Sequence, residues 1–233
     1  MINRRTRIVG SFEELIGTPF AGEVNALCWP RRLEGDFQEV FDRLRPPEGL
    51  TTIEDEDLRT LDLGPAGCIA RDRLLADQAL LRDAGLAPIL DTITEYLRDE
   101  RGGPVPTDVY SFHVDSAPVQ ADTYLCTYLG PASEGLMNEE AIRRVDVAET
   151  RAELLRTHSS VYGGSDDDAF TAYLAENCFD LHYVPRPGAR PYPFGLHNVW
   201  RIAIAYPNCP VLPCIHRAPP QPPGTPPRML LIS

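Results

Sequence analysis

His113-Val114-Asp115 sets an imidazole and a carboxylate two residues apart. In a β-strand, residues i and i+2 project from one face, so this pair points at a single place while Val114 points away. A second histidine, His216, follows about a hundred residues later, and 12 residues beyond it Arg228 opens the apolar run Met229-Leu230-Leu231-Ile232. Two imidazoles and one carboxylate from different strands can occupy one face of an octahedral metal and leave three positions open, the arrangement in which non-haem Fe(II) meets dioxygen and a co-substrate. A guanidinium close by would clamp a carboxylate with two parallel hydrogen bonds. Zn(II) on the same three ligands, with water as the fourth, would instead support hydrolysis or simple metal binding. Cys209-x4-Cys214-x-His216 is a weaker zinc candidate, because no second pair completes a closed tetrahedral site.

The elements that must position these groups are written in two periods. Tyr110, Phe112 and Val114 alternate with Ser111, His113 and Asp115, which predicts a strand over Thr107 to Asp115. Tyr124, Cys126 and Tyr128 alternate with Leu125, Thr127 and Leu129 over Thr123 to Leu129, and Val199 to Tyr206, Val211 to His216 and Arg228 to Ile232 complete the set. Tyr124, Thr127 or Tyr128 could hydrogen-bond a co-substrate, since alternation does not say which face is inside. Residues 1–103 are expected to be mainly helical: Asp36 to Leu44, Cys68 to Asp83, and Leu86 to Arg101, where Leu86, Ile89, Leu90, Ile93 and Leu97 share one helical stripe. Residues 104–233 are expected to hold the β core, with an insertion at about 131–198 acting as a lid or substrate wall. The best helix of that insertion runs from Asp166 to Cys178, capped by Ser165, with Asp166, Asp167 and Asp168 meeting the positive end of the helix dipole. The last 49 residues carry 13 of the 23 prolines, as in the tight corners of small β-barrels and jelly rolls. The expected fold is therefore α+β, a single domain with a double-stranded β-helix (jelly-roll or cupin-like) core under an N-terminal helical layer.

Composition removes several classes of chemistry. All 22 basic residues are arginine, which rules out Schiff-base chemistry, a lysine general base and a Walker A loop. A net charge of −12 opposes sequence-independent nucleic-acid binding, which needs a basic face. No Gly-x-Ser-x-Gly elbow is present. The N-terminus shows no secretory pattern and no apolar run approaches bilayer length, so a cytoplasmic protein with six reduced cysteines is expected. His158, His182 and His197 are read as structural or surface residues. The expected partners are a small-molecule substrate and dioxygen, without nucleic acid or membrane; the sequence leaves the oligomeric state open.

The order His-x-Asp, about a hundred residues, His, about ten residues, Arg resembles the Fe(II)/2-oxoglutarate dioxygenase superfamily. That likeness implies a double-stranded β-helix with Fe(II) on His113, Asp115 and His216, and with 2-oxoglutarate bound through Arg228. A second likeness lies in Val24-Asn25-Ala26-Leu27-Cys28-Trp29-Pro30-Arg31, Phe112-His113-Val114-Asp115, Cys126-Thr127-Tyr128-Leu129-Gly130-Pro131 and Ile215-His216-Arg217-Ala218-Pro219-Pro220. In order and position these blocks resemble DUF1826, a bacterial family of unknown function. The chain departs from that pattern at Ala218, at Gly135-Leu136 and at its end, Ser233, which leaves the three ligands untouched.

Overall fold

A computed structural model describes residues 3–100, 102–162, 167–222 and 224–233. In chain order the elements are β1 (Thr6–Ile8), α1 (Phe12–Gly17), β2 (Ala26–Trp29), α2 (Phe37–Leu44), β3 (Leu50–Ile53), α3 (Asp55–Arg59), α4 (Pro65–Asp83) and β4 (Ile89–Ile93). There follow β5 (Phe112–His113), β6 (Asp122–Leu129), β7 (Glu134–Leu136), β8 (Ala141–Arg143), α5 (Ala148–Tyr162) and α6 (Asp167–Glu176). The chain closes with β9 (His182–Pro185), β10 (Tyr192–Pro193), β11 (Val199–Ala203), β12 (Ile215–Arg217) and β13 (Arg228–Ile232). The fold is α+β, with two mostly antiparallel sheets. The larger runs β1-β2-β11-β6-β13-β4-β3 and the smaller β10-β7-β12-β5-β9-β8. Among the ladders of the described residues only β1–β2 is parallel.

The winding follows a simple rule once the flanking strands β1–β3, β8 and β9 are set aside. Numbered first to eighth along the chain, the remaining strands give a large-sheet order of sixth, third, eighth, first and a small-sheet order of fifth, fourth, seventh, second. Each crossing between sheets therefore brings residues distant in sequence to neighbouring positions. His113 on the second strand stands directly opposite His216 on the seventh.

Alternation along β6 decides what each face of the large sheet meets. Tyr124, Cys126 and Tyr128 pack with Leu27, Met229 and Leu231 against α1–α4, in a cluster that includes Leu15, Val40, Leu58 and Leu74 at 0% exposure. Leu125 on the opposite face packs with Ile93, Trp200, Ile202 and Leu230 between the two sheets. Burying such branched and aromatic side chains is worth about 1.5–3 kcal/mol each, so the helical layer is fixed by the outer face and the site by the inner one. Helix α2 starts where Asp36 accepts the Glu39 N–H at 2.9 Å, and it ends at Arg45 in the left-handed region, φ 48°.

Several sequence expectations need correction. The stripe from Leu86 to Arg101 is not a helix. Pro88 lacks the N–H that a helix interior requires, and the β-branched Ile89, Thr92 and Ile93 gain two ladders by entering between β3 and β13. Leu97, expected on the buried stripe, is 94% exposed; Arg101 lies outside the described residues. Residues 1–103 are consequently not just a helical layer, for they supply four of the seven strands of the large sheet. The strand expected over Thr107 to Asp115 shortens to Phe112–His113, because Asp108 accepts the N–H groups of Tyr110 and Ser111 and turns the chain there. The insertion at 131–198 is not a separate flap: it supplies β7, β8, β9 and β10 to the small sheet. Its α6 spans Asp167–Glu176, while Ser165 and Asp166 lie outside the described residues. All six cysteines are free thiols, three of them buried. Among the described residues no helix is long and apolar enough to cross a membrane.

Candidate metal centre

The antiparallel register of β5 and β12 sets the His113 and His216 rings with centroids 4.6 Å apart. Asp115, just past the end of β5, is held by its own backbone: its carbonyl accepts the Ala205 N–H at 2.8 Å. Its carboxylate oxygens lie 3.8 Å from His113 Nε2 and 3.7 Å from His216 Nε2. One ligand atom from each of the three residues falls within 4.8 Å of the others, close enough to share a single ion.

Each ligand is oriented by a neighbour. His113 Nδ1 donates to the Ser111 carbonyl at 2.8 Å, which leaves the Nε2 lone pair facing the other two residues. His216 Nδ1 makes the same kind of contact, at 3.4 Å, with the Cys214 carbonyl. Thr123 donates to Asp115 Oδ2 at 2.6 Å and fixes the carboxylate plane. Burial, with His216 nearby, lowers the His113 pKa to about 4, so its imidazole is neutral at physiological pH. Burial pushes Asp115 the other way, but His216, the Thr123 hydroxyl and His113 outweigh it and hold the carboxyl below its usual range. A neutral His113 imidazole and an ionised Asp115 carboxylate are in the protonation states a divalent transition metal requires of its ligands. The donor set fits Fe(II) and Zn(II) alike.

The three ligands and Arg228 line one cavity of ≈ 200 Å³, whose apolar wall includes Leu125 and Leu230. That is below the usual range for drug-sized ligands, about 300–1,000 Å³, and suits a small, compact molecule. Arg228 is 0% exposed. Its guanidinium donates to Tyr96 Oη at 2.7 Å and to Ser133 Oγ at 3.1 Å, and its Nε has no acceptor. Burial lowers its pKa, against the partial negative charge of Tyr96 and Tyr110. Asp91, also on the cavity wall, accepts the Thr52 hydroxyl at 2.7 Å and forms no ion pair with Arg228. Among the described residues Arg228 thus has no carboxylate partner.

The other residues singled out from sequence divide by face. Thr127 is buried on the same face as Leu125, opposite Leu230, but it does not line the cavity. Tyr124 and Tyr128 turn to the helical side, where Tyr128 donates to Asp77 at 2.6 Å, so they do not meet the site. Of the described residues of the insertion only Ser133 lines the cavity. His197 packs at a tilt against Phe37 and faces the Tyr128 carbonyl, away from the ligands, and His158 packs against Phe170 and Tyr173. His182 is buried, in register with His113 at 5.7 Å between centroids. Cys214 is buried with its Sγ near Tyr192 Oη, and no cluster joins it with Cys209 and His216 as metal ligands among the described residues. Sequence reasoning missed Tyr96, Thr123 and Ser133. The alternation of β6 marks Thr123, two residues before Leu125 on the inner face; no local pattern marks the other two. Searches against family models, curated proteins and solved structures return no match to this chain.

Proposed function

We propose that this protein is an Fe(II)- and 2-oxoglutarate-dependent oxygenase acting on a small molecule, with His113, Asp115 and His216 as the metal ligands and Arg228 as the co-substrate anchor. The observation that carries this reading is a fully buried guanidinium without a counter-ion among the described residues, sharing one small cavity with two imidazoles and a carboxylate. A structural arginine buried to this degree ordinarily has a carboxylate partner, because an unpaired ion costs several kcal/mol to desolvate. The sheet winding supports the same assignment, since a jelly roll would give orders such as sixth, third, eighth, first and fifth, fourth, seventh, second. The blocks that resemble DUF1826 leave the reaction open and include these ligands.

Bound there, the ion would supply the redox chemistry that couples decarboxylation of 2-oxoglutarate to succinate with oxidation of a substrate by dioxygen. The rest falls to the chain. Arg228 pairs with the far carboxylate of the oxo-acid, held in aim by Tyr96 and Ser133. Ser111 and Thr123 keep the His113 and Asp115 ligand atoms turned toward one point. Leu125, Leu230 and Ile93 exclude water from the same space, which strengthens each charged contact inside it.

Anaerobic addition of Fe(II) and then 2-oxoglutarate tests the reading. A weak visible charge-transfer band, followed by uncoupled succinate formation when air is admitted, is the expected result. His113→Ala and Asp115→Ala should abolish iron binding, and Arg228→Ala should spare iron and weaken the co-substrate. Stoichiometric zinc in the purified protein, with no band and no succinate, would overturn the oxygenase in favour of a zinc-binding jelly roll.

A further inference from the structure

Beside the ligand cavity lies a larger one of ≈ 690 Å³, and the two share Leu50, Tyr96 and Val109 as a common wall. Three of the large apolar residues that the protein leaves in water line this second cavity: Leu97 at 94%, Leu50 at 54% and Val109 at 37% exposure. Exposed apolar groups gathered around one concavity beside a candidate metal centre mark a place where something is bound. Its charged groups are unevenly matched. Arg98 is committed to the face of Tyr110, 3.6 Å from the ring centroid. Asp108 is taken up by the N–H groups of Asp99, Tyr110 and Ser111. Glu95 and Glu100 remain, and neither has an ion-pair partner among the described residues.

The geometry points to this outer cavity as the primary-substrate site, taking an organic cation, an amine or guanidine, whose charge rests between Glu95 and Glu100 and whose apolar stem passes Leu50 and Val109 toward the metal ligands. The proposal depends on the functional reading above only for what then happens to the stem; the binding itself does not need a metal. Arg228 serves the inner cavity and repels such a cation from it, so one molecule cannot exchange places with the co-substrate. Tyr96 belongs to both walls, and its hydroxyl accepts from Arg228.

The test uses hexylamine and hexanol, which have the same stem and differ in charge, with ligand-observed NMR on the full chain. Hexylamine should bind about fivefold more tightly than hexanol, the worth of two partly screened carboxylates. The preference should fall to about twofold or less in Glu95→Gln/Glu100→Gln, whose exposed positions leave the melting temperature unchanged. Val109→Trp should remove binding of both probes. With Mn(II) added, the hexylamine methyl should broaden more than the CH2 next to nitrogen. Equal affinity for the two probes, a preference that survives in the double variant, binding undisturbed by Val109→Trp, or the opposite broadening gradient would each overturn the proposal. Mn(II) titration of the histidine ring signals reads the ligand set separately. Loss of metal binding with the amine preference intact would count against the proposed function alone.

Discussion

Two buried arginines in this chain differ in one property that stability measurements can read. Arg31 and Asp77 have side chains only 7% and 6% exposed and are joined by two bonds of 2.7 and 2.8 Å, with Tyr128 donating a third to the same carboxylate. Burial opposes the Arg31 charge, yet Asp77 outweighs it and the guanidinium pKa ends above normal. Arg228 is as deeply buried but bonds to two hydroxyls and no carboxylate, and its pKa falls. Replacing Arg31 with Met keeps the stem and strands the Asp77 charge, and breaking one side of a buried pair costs about 3–5 kcal/mol. Replacing Arg228 with Met loses two hydrogen bonds from a charged donor, about 1.5–3 kcal/mol each. It also removes the desolvation cost of an unpaired ion, again several kcal/mol. The two nearly cancel, leaving a net change of about 1 kcal/mol in either direction.

In a chain of this length 1 kcal/mol moves the melting temperature by about 2–4 °C. Arg31→Met should therefore lower it by roughly 6–20 °C, and Arg228→Met should leave it within about 4 °C of the parent. Scanning calorimetry and urea unfolding of both variants provide the comparison. 2-Oxoglutarate with Mn(II) should raise the parent's melting temperature by mass action and have a much smaller effect on Arg228→Met. If Arg228→Met unfolds as readily as Arg31→Met, the Arg228 charge is satisfied within the fold, and the argument that it is reserved for an anion fails.

Thr123→Val keeps the shape of the side chain and deletes its bond to Asp115, so Mn(II) affinity should fall about 10- to 100-fold with the melting temperature little changed; titration calorimetry showing unaltered affinity would refute the orienting role. In the metal-free protein the His113 ring should titrate with a midpoint near 4 by NMR. Because the unfolded chain takes that proton near 6.5, the ring's neutral burial contributes fully above that pH and is lost as pH falls from there toward 4; a midpoint near 6.5 in the folded protein would contradict the described burial. Gly130 has φ +77°, and a Cβ there would collide with the Pro227 carbonyl oxygen, at the head of β13. Gly130→Ala should cost more than about 1 kcal/mol in urea unfolding and displace Arg228, weakening 2-oxoglutarate more than metal. Equal stability would show that the strand head yields at no cost.

How much of this was legible depended on whether the information was local. His113 and Asp115 were readable as a pair because two-residue spacing fixes their common face, and the run Arg228 to Ile232 was readable because four consecutive apolar residues follow the arginine. β4 was not, since Ile89, Leu90 and Ile93 satisfy a helical stripe as well as a buried strand, and only Pro88 and the β-branched residues tip the balance. The small sheet was the least visible part: β5 and β10 have two residues each, too few for any period, and they exist because β12, β7 and β9 pair with them. The residues that aim the site show the same division. Thr123 follows from the alternation of β6, whereas Ser133 and Tyr96 reach Arg228 from segments 95 and 132 residues away in sequence. Such contacts are set by winding, not by spacing. A chain that alternates between two sheets places its second and seventh strands side by side, so a metal-binding face can be assembled from fragments that separately carry almost no signal. The ligands are thus the last thing such a sequence specifies locally and the first thing its topology determines.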